Sequence, residues 1–222
     1  MTVDLKIIEL FSNLPPQVLL AVKACVQVKT VKKGNAIIWA EDDCLAVYFI
    51  IKGWVEIFRL SDGGREQMIE RLGAGEGFNL VPLFLNDSKN QANVRALTTV
   101  DLMLIHKHDF QLLMEQYPEL VGQVAQYFAN RLKHMLALVE NLALLSVRQR
   151  LAAFLIQQAD QPKFASQPRW TQEQIACHLG TVRDVVGRIL RQFEENGLLR
   201  FQRQYIQLLD CQALHTIIKG EE

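Results

Sequence analysis

The segment from Trp170 to Arg203 constrains the fold of this chain more than any other stretch. Its residue pattern predicts a helix, a tight turn, a second helix and then a hairpin. Thr171 and Gln174 fit a capping box at the start of the first helix. Gly180 suits a left-handed turn between the helices, and Thr181 is predicted to cap the second one. The segment therefore predicts a winged helix-turn-helix.

The second helix of this motif divides into an apolar face and a charged face. The residues predicted to pack inward are Val182, Val186, Ile189, Leu190 and Phe193. In a DNA major groove, an arginine can donate two hydrogen bonds to guanine, and a carboxylate can accept one from cytosine. The outward residues that could read bases in this way are Arg183, Asp184 and Arg188.

Composition and charge limit the other classes of function. Lys and Arg total 24, as do Asp and Glu, so any DNA binding must rest on a local surface rather than on bulk charge. The four cysteines are widely spaced, which predicts reduced thiols and no metal site. The sequence holds no H-E-x-x-H motif, P-loop or nucleophile–base signature, so we do not expect an enzyme.

The sequence also bears on localisation. Its first residues, MTVDLKIIELF, are too charged for a signal peptide. No stretch approaches the ~18 consecutive apolar residues of a membrane-spanning helix. A soluble, cytoplasmic protein with no membrane partner is therefore expected.

The 222 residues fall into zones of different periodicity. Residues 1 to about 20 predict short helices, and residues from about 28 to 107 predict short strands separated by glycines. Such closely spaced strands favour an antiparallel β-roll of the jelly-roll type. Beyond residue 109 the period is helical, and Pro118 suits the first position of a long helix. The expected fold class is α+β, with domains at 1–117, 118–145 and 146–222.

The long helix carries apolar residues at alternating spacings of four and three. This a/d pattern is typical of a helix that pairs with a second helix in a coiled coil. Flanking apolar residues widen the stripe, so a helix buried wholly within its own subunit is the alternative. The predicted homodimer seam consists of Val121, Ala125, Phe128, Leu132, Met135, Val139 and Leu142.

Over nearly its full length the chain resembles the CRP/FNR superfamily of bacterial transcription regulators. The resemblance rests on the order of KKGNAI, GWVEIFRLSDGGRE, LGAGEGF and NVRALTTVDLMLI, on the long helix, and above all on LGTVRDVVGRILRQFEENGLL. It implies an effector-sensing β-roll, a dimerisation helix and a winged helix that binds a palindromic double-stranded DNA site.

The resemblance also implies roles for residues around the predicted base readers. Thr171, Gln172 and Thr181 match positions that hold DNA phosphates, and Arg203 in the wing is a further phosphate candidate. RNA polymerase is an expected partner, since the loop from Gln158 to Arg169 lies where related activators touch it.

One part of the sequence departs from the cyclic-nucleotide-binding members of the superfamily. In those members a glutamate holds the ribose, and an arginine and a serine hold the cyclic phosphate. With Leu72-Gly73 and Leu83-Phe84 as fixed points, these positions fall on Leu80, Asn90 and Gln91. A buried phosphate without a cation is very costly. Cyclic AMP is therefore disfavoured, and a cyclic nucleotide held by a divergent cassette is kept as an alternative.

The identity of the effector stays open at this point. The superfamily includes members that bind haem, members that bind small apolar or carboxylate ligands, and members that bind none. A ligand-independent regulator, with the β-roll as a dimerisation scaffold, is thus a further alternative. Haem needs an axial ligand, for which the candidates are Cys44, Met68, His106, His108 and His134. The predicted effector pocket consists of Leu80, Val81, Asn90, Gln91, Met135 and Leu136.

Overall fold

The computed structural model describes four stretches of the chain, residues 4–64, 66–160, 168–201 and 206–220. Backbone contacts divide the chain into two compact units, residues 1–132 and 133–222. The long helix α3 (Pro118–Leu144) contributes to both units, and Pro118 is its first residue, as predicted. Within the described stretches, no helix combines the length and apolarity needed to cross a membrane.

Two antiparallel four-stranded sheets form the centre of the first unit. Their strand orders are β1-β8-β3-β6 and β2-β7-β4-β5. Buried residues from both sheets, such as Ile50, Ile57, Leu72 and Leu102, form one hydrophobic cluster, which confirms the predicted β-roll. The strands are β1 (Gln27–Val31), β2 (Ala36–Ile38), β3 (Ala46–Lys52), β4 (Val55–Leu60), β5 (Glu66–Leu72), β6 (Gly77–Phe78), β7 (Asn93–Ala96) and β8 (Val100–His106).

A second cluster joins the helices of the first unit to one side of the roll. Two short 3₁₀ turns precede α1 (Pro16–Cys25), and α2 (Lys107–Gln116) follows the last strand directly. The cluster includes Ile8, Phe11, Val18, Phe49, Phe110 and Leu120, all of them fully buried. The start of α3 is therefore held by its own subunit.

A buried ionic cluster is centred on Glu56 of β4. Glu56 is 1% exposed and lies directly across the sheet from Arg71 on one side and Arg95 on the other. Arg95 pairs with Glu56 and also with Glu66, at 2.8 Å between Nη2 and Oε2 in the second pair. Burial lowers the pKa of Arg71 to about 10, and Glu56 opposes that shift. Arg95 thus links Glu56 to Glu66, and Arg71 lies across from Glu56 on β5.

The second unit has the predicted winged helix-turn-helix architecture. Its core combines residues from every helix after α3 and from the hairpin, including Leu151, Ile175, Val186, Phe193, Leu199 and Leu214. The elements are α4 (Val147–Asp160), α5 (Gln172–Leu179), α6 (Arg183–Glu195), β9 (Leu199–Phe201), β10 (Ile206–Leu208) and α7 (Cys211–Lys219). Together the two units confirm an α+β fold with a jelly-roll-like first part.

Candidate nucleic-acid interface and ligand pocket

The turn between α5 and α6 has the geometry that the sequence predicted. Thr171 Oγ1 accepts a hydrogen bond from the Gln174 amide at 3.2 Å, and Gln174 Oε1 accepts one from the Thr171 amide at 3.0 Å. This reciprocal pair is the predicted capping box. Gly180 ends α5 in the left-handed region at φ 68°. The motif is therefore fixed by local hydrogen bonds as well as by its core.

Two expectations about the start of α6 are wrong. Val182, not Thr181, is the N-cap residue, and the Val182 side chain makes no cap hydrogen bond. Val182 also lies outside the buried stripe, because its backbone is extended (φ −117°, ψ 153°) and the residue is 55% exposed. The other predicted inward residues are buried as expected, namely Val186, Ile189, Leu190 and Phe193.

The predicted base-reading residues lie on the outer surface of α6. Arg183, Asp184 and Arg188 are all exposed, and so is Arg191 one turn further along the helix. Among the residues that the structure describes, none of these side chains makes an ion pair. Their hydrogen-bonding capacity is therefore available to an external partner. Their contacts with bases stay a prediction.

The predicted phosphate-contacting residues have different surroundings. Thr171 is occupied by its capping box, and the Thr181 amide donates to the carbonyl of Ala176 at 2.9 Å. A Cβ atom on Gly187 would lie only 3.1 Å from Gln172 Oε1. The glycine therefore allows α5 and α6 to approach closely. Arg203 falls outside the described residues. The phosphate roles of these four residues stay predictions.

No pattern in the sequence predicted the contacts that join α4 to the helix-turn-helix. Phe154, Trp170 and His178 form a three-ring cluster, with ring centroids 5.0 to 5.5 Å apart. Trp170 Nε1 also donates to Gln158 Oε1 at 3.1 Å. These residues lie on separate elements, and no single-helix period brings them together. Their contacts fix the entry into α5. Residues 161–167, in the loop that the family resemblance associates with RNA polymerase, lie outside the described residues, and that partner stays a prediction.

A pocket of about 150 Å³ opens in the first unit between the roll and α3. Its lining includes three of the predicted residues, Leu80, Val81 and Gln91, but not Asn90. Met135 and Leu136 belong to the second unit and are not among the lining residues. Most other walls are apolar, formed by Ile38, Ile57, Phe78, Pro82, Ala92, Val94 and Phe128.

Asn90 has a structural role rather than a place in the pocket wall. It is 3% exposed, its Nδ2 donates to the Trp39 carbonyl at 3.0 Å, and its Oδ1 accepts from Asn79 Nδ2 at 2.9 Å. Asn79 adopts a left-handed conformation, at φ 65°. The amide of Asn90 thus fixes two loop segments, so the expectation that it faces the effector is not supported.

The pocket contains polar groups from α3 that the sequence analysis missed. Arg131 is its one cationic lining residue within the described part of the chain, and Nη1 lies 2.5 Å from Glu70 Oε2. Tyr127, one turn earlier, donates its hydroxyl to the Gly77 carbonyl at 2.8 Å. Burial is the main cause that raises the pKa of Tyr127 to about 12. Helical spacing relates Tyr127 to Arg131, but only the folded register brings Glu70 beside them.

The candidate haem ligands do not converge on this pocket. Cys44 is buried and hydrogen-bonded near Asn79, Met68 is buried on β5, and His106 and His108 are exposed. None of them lines the pocket, whose described lining has no His, Cys or Met. His134 is exposed in the second unit. The residues around the pocket therefore do not fit haem.

The face of α3 that carries the predicted seam is largely open. Val121 is 44% exposed, Leu132 and Val139 are 62% exposed, and Leu142 is 41% exposed. Phe128 and Met135 are half-buried instead, and the Phe128 ring packs edge-on against Phe84 of its own subunit at 5.4 Å. Buried contacts of α3 with its own roll are made instead by Leu120 and Val124. These exposures disfavour a helix buried wholly within its own subunit.

Comparison with known proteins identifies both parts of the chain. Residues 28–117 match the cyclic nucleotide-binding domain, and residues 149–217 match the Crp-like helix-turn-helix domain. The chain is 32% identical over 170 residues to the cAMP-activated global transcriptional regulator CRP of Haemophilus influenzae, covering 74% of this chain and 76% of that protein. The chain belongs to the CRP/FNR family.

Two further CRP/FNR similarities agree with this assignment. The cAMP-activated global transcriptional regulator Vfr of Pseudomonas aeruginosa is 34% identical over 173 residues, covering 74% of this chain and 81% of that protein. The c-di-GMP responsive global regulator CLP of Xanthomonas campestris has the same fold, with a TM-score of 0.79 at 21% identity over 88% of this chain and 100% of that chain. The chain is thus a DNA-binding transcription regulator of the CRP/FNR type, and its relatives are regulators rather than enzymes.

Proposed function

We propose that this regulator binds a palindromic DNA site as a homodimer and reads each half-site with Arg183, Asp184 and Arg188. The observation that carries the proposal is the outward face of α6, where all three side chains are exposed and none makes an ion pair among the described residues. The N-terminal end of a recognition helix is the end that enters the major groove. Arginine suits guanine there, and a carboxylate suits cytosine.

The test is selection of the preferred site from random duplex DNA, followed by affinity measurements on the Arg188→Ala variant. Loss of a bidentate guanine contact should weaken specific binding by about 1–3 kcal/mol and leave the affinity for random DNA nearly unchanged. Arg191→Ala is the matched control, because Arg191 is also exposed on α6 but lies further from its N-terminus. Equal losses on specific and random DNA would contradict base reading by Arg188.

The dimer part of the proposal rests on the exposed apolar face of α3. Exposure of 62% at both Leu132 and Val139 leaves a long apolar stripe without cover in one chain. A second copy of α3 would bury this stripe, since its seam residues follow the heptad pattern of a coiled coil. Pairing also explains how a chain with zero net charge gains DNA affinity, because two linked half-site contacts bind far more tightly than one.

Sedimentation of a Leu132→Asp variant tests the seam. A charge at an a/d position should shift the protein from dimer to monomer, since an unpaired charge is not tolerated in an apolar interface. Lys133→Asp is the control, because it introduces the same side chain one residue outside the predicted seam. An unchanged sedimentation coefficient for Leu132→Asp would exclude this seam.

We further propose an effector other than cyclic AMP, namely a small and largely apolar molecule that fits the walls of this pocket. Two CRP/FNR relatives above are cAMP-activated, whereas this chain has Leu80 in the pocket wall and a structural Asn90 at cassette positions. Arg131 is already paired with Glu70. A volume of about 150 Å³ is also small beside the roughly 300–1,000 Å³ of drug-sized ligand sites.

The alternative is a ligand-independent regulator, and operator binding by dialysed protein separates the two. A sensor should bind weakly after dialysis and recover affinity when a deproteinised small-molecule extract of the source cells is added. Ala92→Leu should abolish the recovery by filling the pocket, whereas Ala74→Leu adds the same bulk at an exposed turn and should not. Full operator affinity after dialysis, with no response to the extract, would favour the scaffold alternative.

A further inference from the structure

Val182 occupies an unusual place at the start of the recognition helix. It is 55% exposed, and it is the residue from which α6 begins. Its carbonyl accepts hydrogen bonds from the amides of Val185 at 3.1 Å and Val186 at 3.3 Å, so its backbone is fixed. The extended conformation at φ −117° removes its side chain from the buried stripe that continues with Val186. Val182 is therefore an apolar side chain held rigidly at the surface.

Helix stability does not account for a valine at this position. Ser, Thr, Asp and Asn are the preferred N-cap residues because their side chains accept a hydrogen bond from the first turn. Val182 has no side-chain acceptor and makes no such cap bond. Core packing does not account for it either, since the residue is 55% exposed. The position thus lacks the residue types that would stabilise the isolated domain best.

The residues next to Val182 indicate which part of a DNA site its side chain would contact. Arg183 and Asp184 follow it directly and are exposed at the same end of α6. The Crp-like helix-turn-helix match independently makes DNA the partner of this motif. In the major groove the thymine 5-methyl is the one apolar group on a base edge, and apolar side chains are its usual contacts.

We propose that Val182 is a specificity-determining residue that contacts the 5-methyl group of a thymine beside the bases read by Arg183 and Asp184. This inference rests on the proposed DNA-reading role of α6. A branched aliphatic side chain fits the methyl group because both are apolar and their contact excludes water. The preferred half-site should then contain a thymine whose methyl group matters only when Val182 is present.

Substitution of deoxyuridine for thymidine tests the contact, because it removes the 5-methyl group and nothing else. Once the preferred site has been selected from random DNA, each thymine pair of the two half-sites is replaced in turn. One substitution should weaken wild-type binding about fourfold per half-site, or roughly fifteenfold for a palindrome. Deoxyuridine at the other positions serves as the internal control.

Measuring binding of the Val182→Ser variant to the same DNA series tests whether the methyl effect depends on Val182. Serine supplies a good N-cap, so the helix should be no less stable, and any affinity lost is lost from the interface. The variant should bind thymidine and deoxyuridine sites equally. Val182→Thr keeps the shape and one methyl group, and should retain part of the discrimination.

The outcomes distinguish failure of the Val182 contact from failure of the proposed DNA-reading role of α6. If no preferred site emerges from the selection, the DNA-reading role of α6 fails. If a site emerges and Val182→Ser loses affinity equally on thymidine and deoxyuridine DNA, then Val182 contacts the sugar–phosphate backbone and the inference is overturned. A wild-type protein that is indifferent to every deoxyuridine substitution would overturn it as well.

Discussion

Arg188 on α6 and Arg131 on α3 are both helical arginines, and their surroundings differ in a way that separates the two functional regions. Arg188 is exposed and makes no ion pair within the described part of the chain. Arg131 is half-buried beside the pocket and paired with Glu70. A charge left unpaired in water costs little, whereas a buried charge must be paired. The DNA-reading helix therefore exposes its charged side chains to solvent. In the first unit, by contrast, Arg131 and Glu70 form an ion pair with each other.

This difference predicts that charge-removing substitutions will lower stability in the roll and lower DNA binding on α6. The largest expected effect is that of Glu56→Gln. Glu56 is 1% exposed between Arg71 and Arg95, so its removal leaves guanidinium groups without their buried counter-charge. The free energy of unfolding should fall by about 3 kcal/mol, near the low end for breaking a buried pair because Arg95 is partly exposed.

Urea unfolding followed by tryptophan fluorescence measures this loss. In a Trp170→Phe background the remaining tryptophans, Trp39 and Trp54, both report on the first unit. Glu41→Gln is the control, because the Glu41 and Arg59 side chains are 74% and 48% exposed. That variant should lose less than about 0.5 kcal/mol, as exposed ion pairs usually do. Equal losses for both variants would contradict the internal role assigned to the ionic cluster.

The next effect concerns Asp184, which is exposed in the first turn of α6. Asp184→Asn keeps the shape of the side chain and removes its charge. Discrimination for cytosine at one position should fall by about 1–3 kcal/mol. Stability should change by less than about 1 kcal/mol, the usual contribution of a carboxylate at a helix N-terminus. Binding to a panel of single-base operator variants, together with thermal unfolding, checks both expectations.

A different result would change the role of Asp184. If Asp184→Asn weakens the preference for a guanine and leaves the cytosine preference intact, then the carboxylate orients a neighbouring arginine instead of reading a base. If stability falls by several kcal/mol, the contrast between the outward charges of α6 and the internal charges of the roll is wrong at this residue. Arg191→Gln, on the same exposed surface, is a suitable control.

How well the sequence predicted each region depends on how far apart its residues lie along the chain. Arg183, Asp184 and Arg188 share one helix, so their common outward face follows from helical period alone. The pocket depends on the register of distant strands, which brings Glu70 to Arg131 and assigns Asn90 to a loop. Val182 was misassigned for a related reason. Its spacing from Val186 fits the inward stripe, but it precedes the helix, where that spacing no longer applies.

A smaller effect is expected from Tyr127→Phe in the wall of the pocket. The Tyr127 hydroxyl donates to the Gly77 carbonyl at 2.8 Å, and the substitution removes only this hydrogen bond. The first unit should lose about 1 kcal/mol of stability. Tyr117→Phe is the matched control, because Tyr117 is also half-buried but makes no side-chain hydrogen bond among the described residues, and it should change stability by less than about 0.5 kcal/mol. Urea unfolding in the Trp170→Phe background measures both, and equal losses would contradict a stabilising role of the Tyr127–Gly77 hydrogen bond.

The smallest expected effect is that of cyclic AMP on thermal stability. A ligand that binds only the native state raises the free energy of unfolding by about 2.7 kcal/mol at a concentration of 100 Kd. With Leu80 and a structural Asn90 at two cassette positions, and Arg131 already paired, millimolar cyclic AMP should leave the melting temperature unchanged. A duplex with the selected DNA site should raise it in the same assay, which shows that the assay detects binding. An upward shift with cyclic AMP would mean that Arg131 exchanges Glu70 for the cyclic phosphate, and the internally engaged charges of the roll would then be as available to a ligand as those of α6 are to DNA.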